Sequence, residues 1–468
     1  MAKKTKDRVL SDAILRWSLG IGLLVVLGCP FVLRWFRASP GEGGLERAGD
    51  LPKKKLVLIS PHWEGIREEF ERAFSAHTAR EFGHRTELEW LDLGGTSDAV
   101  RYVRSEFERS PEGIGVDLFF GGGVDPYLQF ARDGLLSPCE VPEEVLEPIP
   151  QQFAGIEVYD ARHRWFGTCL AGFGIIYNKK VLSYLDLPAP RTWEEMARPR
   201  YFTWVGSGDP RSSGSVHMAY EIILQAYGWQ EGWSVIARMG ANIRNFSRSA
   251  SQVPEDTALG EVACGAAIDV YAWRAVAEAG EERIGFHLPD GLTVLSPDSI
   301  AVLRGAPARK LAERFVEFVL SEAGQKLWVL EVGAEGGPRE FELDRMPVIP
   351  GFASRFGDEA AVKLDPYSYR GGFTYDSEKG SLRWTILNDL IGATIIDTHE
   401  ELSAAWARVR DLGPDHPARA DLVRPPLTEE ELLELARERW EDPEARARIR
   451  ARWATEARAR YNRIAGDQ

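Results

Sequence analysis

The chain has 468 residues, of which 44% are hydrophobic and 27% charged, a composition typical of globular proteins with two or more domains. The formal net charge is −14, although the first 55 residues hold eleven Lys or Arg against five Asp or Glu. The rest of the chain is therefore strongly acidic, which argues against nucleic acid as a partner. The four cysteines (Cys29, Cys139, Cys169 and Cys264) have no CxxC or Cys/His spacing, so the sequence indicates neither a disulfide framework nor a zinc site.

The first predicted element is an apolar segment at 17–33, which contains no charged residue and has lysines and arginines on both sides. It predicts a short membrane-spanning helix, with a cytoplasmic stub before it and everything after it exported. An alternative stays open, because residues 26–29 (Val-Leu-Gly-Cys) resemble a bacterial lipobox in which Cys29 would be lipidated. No small-x-small cleavage site ends the apolar run, which disfavours a cleavable secretory signal.

The exported part begins with alternating strands and helices. Strands are predicted at 56–59, 88–93 and 116–120, and helices after Ser60, over 96–107 and from Asp125. This βαβαβ order predicts an α/β fold with a parallel sheet, in which ligands bind beyond the carboxyl ends of the strands. Two loops lie there, and they supply the ligand-binding candidates Ser60, His62, Trp63, Gly122, Gly123 and Asp125. Helix capping and a strand-end turn are the plain alternatives for these loops.

A second α/β unit starts with the glycine-rich extended run 166–178. It includes a strand at 202–205, a helix over 217–229, and a small-residue strand at 262–268 that leads to the candidates Asp269 and Tyr271. A side chain directed into a cleft is natural at such a strand end, and a buried structural pair is the alternative. The segment 292–304 is predicted to return to the first unit, followed by helices over 308–320 and 324–330.

The loop at 206–215 has the composition of an anion-binding cradle. Its glycines permit positive φ angles, and its candidates lie directly before a predicted helix. Free N–H groups and the helix dipole at a helix N-terminus favour anions, and a nearby cation would add a charge-assisted hydrogen bond. An ordinary N-cap is the alternative. The candidates here are Ser207, Arg211, Ser212, Ser213, Gly214 and Ser215.

Helical patterns continue to the C-terminus. Helices are predicted over 382–391 and 399–409, and a tail from 425 ends in a helix with one narrow apolar face. The many arginines of this last helix predict a solvated face, with a membrane or partner contact as the alternative.

Five segments together resemble the extracellular solute-binding proteins of bacterial ABC transporters, specifically the type 2 periplasmic binding fold and its ferric-binding-like branch. They are GGGVDPYLQFARDGLLSP (121–138), GFGIIYNKKVL (172–182), GDPRSSGS (208–215), LSPDSIAVLRGAPARKLAERFVEFVLSEAGQKLW (295–328) and HEELSAAWARV (399–409). The resemblance implies two α/β lobes joined by two crossover strands, with the ligand in the cleft between them. The implied order is 1–37 stub and anchor, 38–55 linker, 56–165 first part of lobe 1, 166–291 lobe 2, 292–424 return to lobe 1 with packing helices, and 425–468 helical tail.

The resemblance also implies a function without chemistry or cofactor: capture of a small polar solute, here expected to be anionic, for delivery to ABC permease subunits. Members that bind ferric iron usually carry paired tyrosines in the closing segments, whereas this chain has Tyr367 and Tyr369 separated by Ser368, so we expect weak iron binding or none. A membrane-anchored sensor or scaffold on the same fold is the alternative. An enzyme is the other class, but the sequence has no GxSxG, HExxH or GxxxxGK[ST] pattern.

Overall fold

Three parallel strands open lobe 1 in the computed structural model, which describes residues 51–362, 364–369, 373–413, 415–438, 440 and 442–466. The strands are β1 (Lys53–Ile59), β2 (Arg85–Leu91) and β3 (Leu118–Phe120), in the order β2-β1-β3. The helices that follow them are α1 (Glu64–Phe82), α2 (Thr96–Arg109) and α3 (Val124–Arg132). The short elements β4 (Leu136–Ser137), α4 (Glu143–Leu146), β5 (Gln152–Phe153) and β6 (Ile156–Glu157) complete this part. The predicted βαβαβ unit is therefore present.

Lobe 2 is built on the far half of a long strand, β7 (Phe166–Asn178), whose bounds agree with the predicted run. Its strands are β8 (Val205–Gly208), β9 (Ile243–Ser247), β10 (Cys264–Ile268) and β11 (Ile284–His287). Its helices are α5 (Lys179–Tyr184), α6 (Trp193–Met196), α7 (Gly214–Tyr227), α8 (Trp229–Asn242), α9 (Gln252–Leu259) and α10 (Asp269–Ala279).

Two antiparallel strands connect the lobes. The first half of β7 pairs with β12 (Leu295–Leu303), and its second half pairs with β10 and β11 in lobe 2. Strand β12 also pairs with β3 in lobe 1. The two lobes therefore share one eleven-stranded sheet through two crossover strands, and the predicted two-lobed α/β fold is confirmed.

Two boundaries in lobe 2 differ from the prediction. The predicted strand at 202–205 is wrong, because Thr203 has a φ of 66° and the strand begins only at Val205. The helix begins at Gly214 rather than at residue 217, and the Ser213 hydroxyl caps it by accepting the N–H of Val216 at 3.4 Å. The cap thus lies three residues closer to the glycine-rich loop than the apolar periodicity indicates.

The rest of the chain returns to lobe 1 and then crosses both lobes. Its elements are α11 (Arg309–Leu320), α12 (Glu322–Val329), β13 (Met346–Pro347), α13 (Ser377–Ile391), a π-helical turn (Gly392–Ile396), α14 (His399–Val409), α15 (Pro417–Val423), α16 (Glu429–Glu438) and α17 (Pro443–Ala465). Helix α13 contacts both lobes through Ser381 and Arg383. Gln129 of α3 in lobe 1 donates to the Ser381 carbonyl at 2.9 Å, and Arg383 lies 2.8 Å from Glu221 of α7 in lobe 2.

The arginines of α17 are less solvated than predicted. Arg446 and Arg450 both lie against Asp389 of α13, and Arg458 pairs with Glu401 at 2.6 Å. Several of these charges therefore attach the tail to the body of the protein.

The membrane prediction falls outside the part of the chain that the structure describes. The segment 17–33 and Cys29 both precede residue 51. Among the described residues, the helices are too short or too polar to cross a bilayer.

Candidate functional site

Two adjoining cavities lie where the lobes meet. The inner cavity has a volume of about 60 Å³ and is lined from lobe 1 by His62, Thr96 and Gly122, and from lobe 2 by Gly214 and Tyr271. The outer cavity has a volume of about 610 Å³ and shares seven lining residues with the inner one. Together they form the cleft that a two-lobed fold predicts, at the carboxyl ends of the parallel strands.

Five helices begin at this cleft: α1, α2 and α3 from lobe 1, and α7 and α10 from lobe 2. The helix starts approach closely because they are rich in glycine. A Cβ atom on Gly214 would lie 2.7 Å from the Cβ of Thr96, and one on Gly122, whose φ is 88°, would lie 2.6 Å from the Thr96 Cγ2. The first N–H groups of a helix have no intrahelical acceptor and carry partial positive charge. The backbone therefore contributes a positive potential to the cleft.

A buried ionic cluster forms one wall of the inner cavity. The Oδ2 atom of Asp298 lies 2.6 Å from the Nη2 of Arg345 and 3.2 Å from the Nε2 of His62. Burial raises the pKa of Asp298, but the charges of His62 and Arg345 outweigh burial and bring that pKa down to about 2. The same carboxylate raises the pKa of Arg345 against the effect of burial. The cluster thus holds a charged arginine at the cavity, although its side chain is only 2% exposed.

Several polar atoms of these walls have no hydrogen-bond partner among the described residues. They are His62 Nδ1, Trp63 Nε1, Ser296 Oγ, Asp298 Oδ1 and Arg345 Nε. Buried polar atoms in native proteins are usually paired, so each one indicates a place for a bound polar group or water. Trp63 and Arg345 can only donate and His62 and Ser296 are able to donate, which suits a ligand rich in acceptor oxygens, whereas Asp298 can only accept.

The outer cavity adds aromatic and cationic groups. The Arg274 guanidinium of lobe 2 lies 4.9 Å from the centre of the Trp63 ring of lobe 1, a cation–π contact across the cleft mouth. Arg248 also lines this cavity, together with Ser249, Ser251 and Glu255.

The lobes touch each other beside the cavities. The Ser97 hydroxyl of α2 donates to the Pro210 carbonyl at 3.0 Å. A Cβ on Gly95 would lie 2.2 Å from the Ser212 carbonyl oxygen, so only glycine permits this approach. The structure is therefore a closed arrangement of the two lobes.

Comparison with known proteins fits this geometry. Residues 114–336 match the family model described as bacterial extracellular solute-binding protein. Over this stretch, which is just under half of the chain, the sequence is similar to that family. The fold is that of the ferric-binding-like type 2 periplasmic binding proteins, as two solved structures show. One is the periplasmic binding protein AfuA of Actinobacillus pleuropneumoniae with fructose 6-phosphate bound, which is 18% identical with a TM-score of 0.58, over 77% of this chain and 99% of AfuA.

The second solved structure is iron-bound HitA of Pseudomonas aeruginosa, which is 18% identical with a TM-score of 0.55, over 72% of this chain and 99% of HitA. A curated relative, the phosphoglycerate transport regulatory protein PgtC of Salmonella typhimurium, is 28% identical over 161 residues. That match covers 34% of this chain and 39% of the length of PgtC.

The structure brings most of the predicted site residues to the cleft. Eight of them line the inner or the outer cavity: His62, Trp63, Gly122, Gly123, Ser213, Gly214, Ser215 and Tyr271. The other six, Ser60, Asp125, Ser207, Arg211, Ser212 and Asp269, line neither cavity.

Arg211 is the most consequential of these six. Its guanidinium contacts both carboxylate oxygens of Asp209 at 2.7 to 3.0 Å, and both oxygens of Asp397 at 2.9 Å. The Arg211 cation, which the sequence predicted to lie beside the ligand, is thus paired with two carboxylates. The buried cation at the inner cavity is instead Arg345.

The remaining side chains are engaged inside the lobes. Asp125 accepts the Tyr375 hydroxyl at 2.6 Å, and burial raises the pKa of Asp125 well above its usual range against that hydrogen bond. Asp269 accepts two backbone N–H groups, at 2.6 and 2.7 Å, and burial raises its pKa to about 6. The Ser207 hydroxyl is 2.9 Å from that of Tyr220, and the Ser60 hydroxyl accepts the N–H of His62 at 3.2 Å.

Sequence reasoning missed four polar residues of the inner cavity: Thr96, Ser296, Asp298 and Arg345. Thr96 starts a predicted helix after a strand and could have been found by the rule that identified His62 and Gly122. Ser296 and Asp298 lie in the predicted return strand, where polar residues within an apolar run are a usable signal. Arg345 has no local signal, because it lies in an irregular segment.

The tyrosines considered for iron lie away from the cleft. The Tyr367 hydroxyl donates to the Val348 carbonyl, and neither Tyr367 nor Tyr369 lines the inner or outer cavity. In the described part of the chain, no three His, Cys, Asp or Glu side chains are grouped as a metal site.

Proposed function

We propose that this solute-binding protein captures a small anionic solute between its lobes and delivers it to the permease subunits of an ABC transporter, without chemistry. The observation that carries the proposal is the meeting of five helix N-termini with the buried Arg345 around one small cavity. Helix N-termini and arginine both favour oxyanions, and they act strongly where water is excluded.

A phosphate ester is the class of solute that fits best. The inner cavity would take the phosphate, with the N–H groups of Gly214 and Ser215 and the side chain of Thr96 as donors. The organic part would extend into the outer cavity beside Trp63 and Arg274. Support comes from the names of similar proteins, since PgtC is named for phosphoglycerate and AfuA was solved with fructose 6-phosphate.

Transport would use closure of the lobes. A ligand held by Thr96 of lobe 1 and Gly214 of lobe 2 contacts both lobes fully only when they are close, so binding shifts the population toward the closed arrangement. A permease that recognises that arrangement then receives loaded protein in preference to empty protein.

The experiment is calorimetry of the exported part with fructose 6-phosphate and 3-phosphoglycerate, with fructose and glycerate as matched uncharged or less charged controls. We expect binding of at least one phosphorylated compound and none of its unphosphorylated partner. Equal affinity for a phosphorylated compound and its partner would contradict the proposed anion site. Native mass spectrometry of protein purified without refolding would identify a solute outside this panel.

We also propose that the 17–33 segment tethers the protein to the cytoplasmic membrane, with the folded part in the periplasm or otherwise outside that membrane. The continuation of the apolar run past Cys29 supports an uncleaved anchor. We therefore expect Cys29→Ala to stay in the membrane fraction at full length. Its release into the soluble fraction would favour lipidation at Cys29.

A further inference from the structure

A third cavity, of about 260 Å³, lies on the other side of the first turn of α2 from the cleft. Residues 96 and 98 of that turn line the cleft, whereas Ser97 and Val100 line this third cavity. Four arginines surround it: Arg101 of lobe 1, Arg211 of lobe 2, and Arg446 and Arg450 of α17. We call it the arginine cavity.

Two of these arginines are neutralised by their own acidic partners. Arg101 pairs with Asp98, and Arg211 pairs with Asp209 and Asp397. The Arg211 side chain is also fixed in place, since its guanidinium makes five hydrogen bonds to Asp209 and Asp397. These two arginines and their three carboxylates carry a formal charge of −1, so this wall supplies hydrogen-bond donors but no excess positive charge.

The other two arginines share a single acid. Asp389, whose side chain is 3% exposed, receives the Nε of Arg446 at 2.6 Å and the Nε of Arg450 at 3.3 Å. Among the described residues, no acceptor binds the Nη groups of these two arginines. Two guanidiniums against one carboxylate leave an excess positive charge here, in a chain whose net charge is −14.

Neutral donors complete the wall. His217 orients the Asn388 side chain, because the Nδ1 atom of His217 lies 2.7 Å from the Oδ1 atom of Asn388. The NH₂ group of Asn388 is therefore left as a donor. Thr385 and Ser97 also line the cavity, although the Ser97 hydroxyl already donates to Pro210. The arrangement offers planar N–H forks and amide donors, which match the oxygens of a tetrahedral oxyanion.

We propose that the arginine cavity binds a small oxyanion with at least two negative charges, of which inorganic phosphate is the simplest, at a site separate from the cleft. Its walls come from lobe 1, lobe 2 and α17, so a bound anion would favour the arrangement in which all three meet. Occupancy would then be coupled to lobe closure, and by linkage closure would raise affinity for the anion. The proposal does not depend on what the cleft binds.

The test is calorimetry of the full-length protein with inorganic phosphate. The double variant Arg446→Gln with Arg450→Gln should lose one phosphate site, or bind there at least tenfold more weakly, since two charge-assisted interactions are removed. Arg448→Gln with Arg452→Gln is the matched control on the same helix, because among the described residues those arginines pair only with Glu444 and Glu456 of α17. The control should bind as the parent does.

A second variant is needed in case the first misfolds, because Arg446→Gln with Arg450→Gln leaves the buried Asp389 unpaired. Arg101→Gln changes a side chain that is 49% exposed, and it should also weaken phosphate binding while leaving the thermal midpoint nearly unchanged. Phosphate bound in the cleft would persist in both variants as a remaining site, so failure of the cleft proposal and failure of this one are distinguishable. Unchanged stoichiometry and affinity in the folded variants would overturn the arginine cavity as an anion site.

Discussion

The Nη2 atom of Arg345 lies 2.6 Å from the Oδ2 atom of Asp298, in the wall of the inner cavity, and both side chains are less than a tenth exposed. The second oxygen of Asp298 and the Nε of Arg345 have no partner among the described residues. One pair therefore serves two purposes: each charge makes burial of the other tolerable, and their free polar atoms remain available to a ligand.

Replacing Arg345 should show that burial of the Asp298 charge depends on this ion pair. Arg345→Gln should lower the free energy of unfolding by about 3 kcal/mol, because it leaves Asp298 buried without its closest charged partner. The double variant Arg345→Gln with Asp298→Asn should recover much of that loss, since no charge is left unpaired, yet it should still not bind the anionic solute. Urea unfolding and calorimetry measure the two effects. Equal stability of the single and double variants would show that the pair is not coupled.

His217 should make stability depend on pH. Its ring is fully buried among Trp384, Asn388, Glu221 and Arg383, and burial lowers its pKa to about 4, with the charge of Glu221 opposing. The unfolded state binds the proton near pH 6.5, so between about pH 6.5 and 4 it holds more protons than the folded state, and stability falls as pH falls.

The loss over that window should approach about 3 kcal/mol from this residue alone. His217→Gln cannot titrate, so its free energy of unfolding, measured in urea at several pH values, should fall less steeply than that of the parent. The difference between the two curves removes the contribution of other groups in this range, such as Asp269. Parallel curves would contradict the assignment to His217.

Gly214 should be needed for lobe closure. Any side chain there would meet Thr96 of the opposite lobe, so Gly214→Val should separate the helix starts and weaken solute binding by tenfold or more. Gly413→Val is the matched control, because a Cβ at Gly413 has no atom within 4 Å. Small-angle scattering should show a larger radius of gyration for Gly214→Val than for Gly413→Val. The same radius for both variants would mean that the lobes accommodate the side chain.

Ferric iron should bind weakly or not at all. Neither Tyr367 nor Tyr369 lines the inner or outer cavity, and the cavity donors are mostly N–H groups, which do not ligate a metal ion. Titration with ferric citrate should therefore give no tyrosinate charge-transfer band in the visible spectrum. A stoichiometric band would show that this protein binds iron, as HitA does in its iron-bound structure.

The sequence by itself determined the elements and the loops that form the cleft. Strand β7 follows a continuous apolar run, and helix α14 follows an apolar period with a start signal, so both were placed correctly from local patterns. His62, Trp63 and Gly122 were found because they follow strands, and in a parallel sheet all such loops meet at one edge.

Tertiary structure alone decided which charges face the ligand. Arg211 looked free beside a helix start, but folding brings Asp397, 186 positions away, against its guanidinium. Asp298 and Arg345 are 47 positions apart and meet only because β12 and the segment before β13 both lie against β7. Helix periods and loop positions are set by neighbours along the chain, whereas the pairing of a charge depends on which distant carboxylate the fold places beside it.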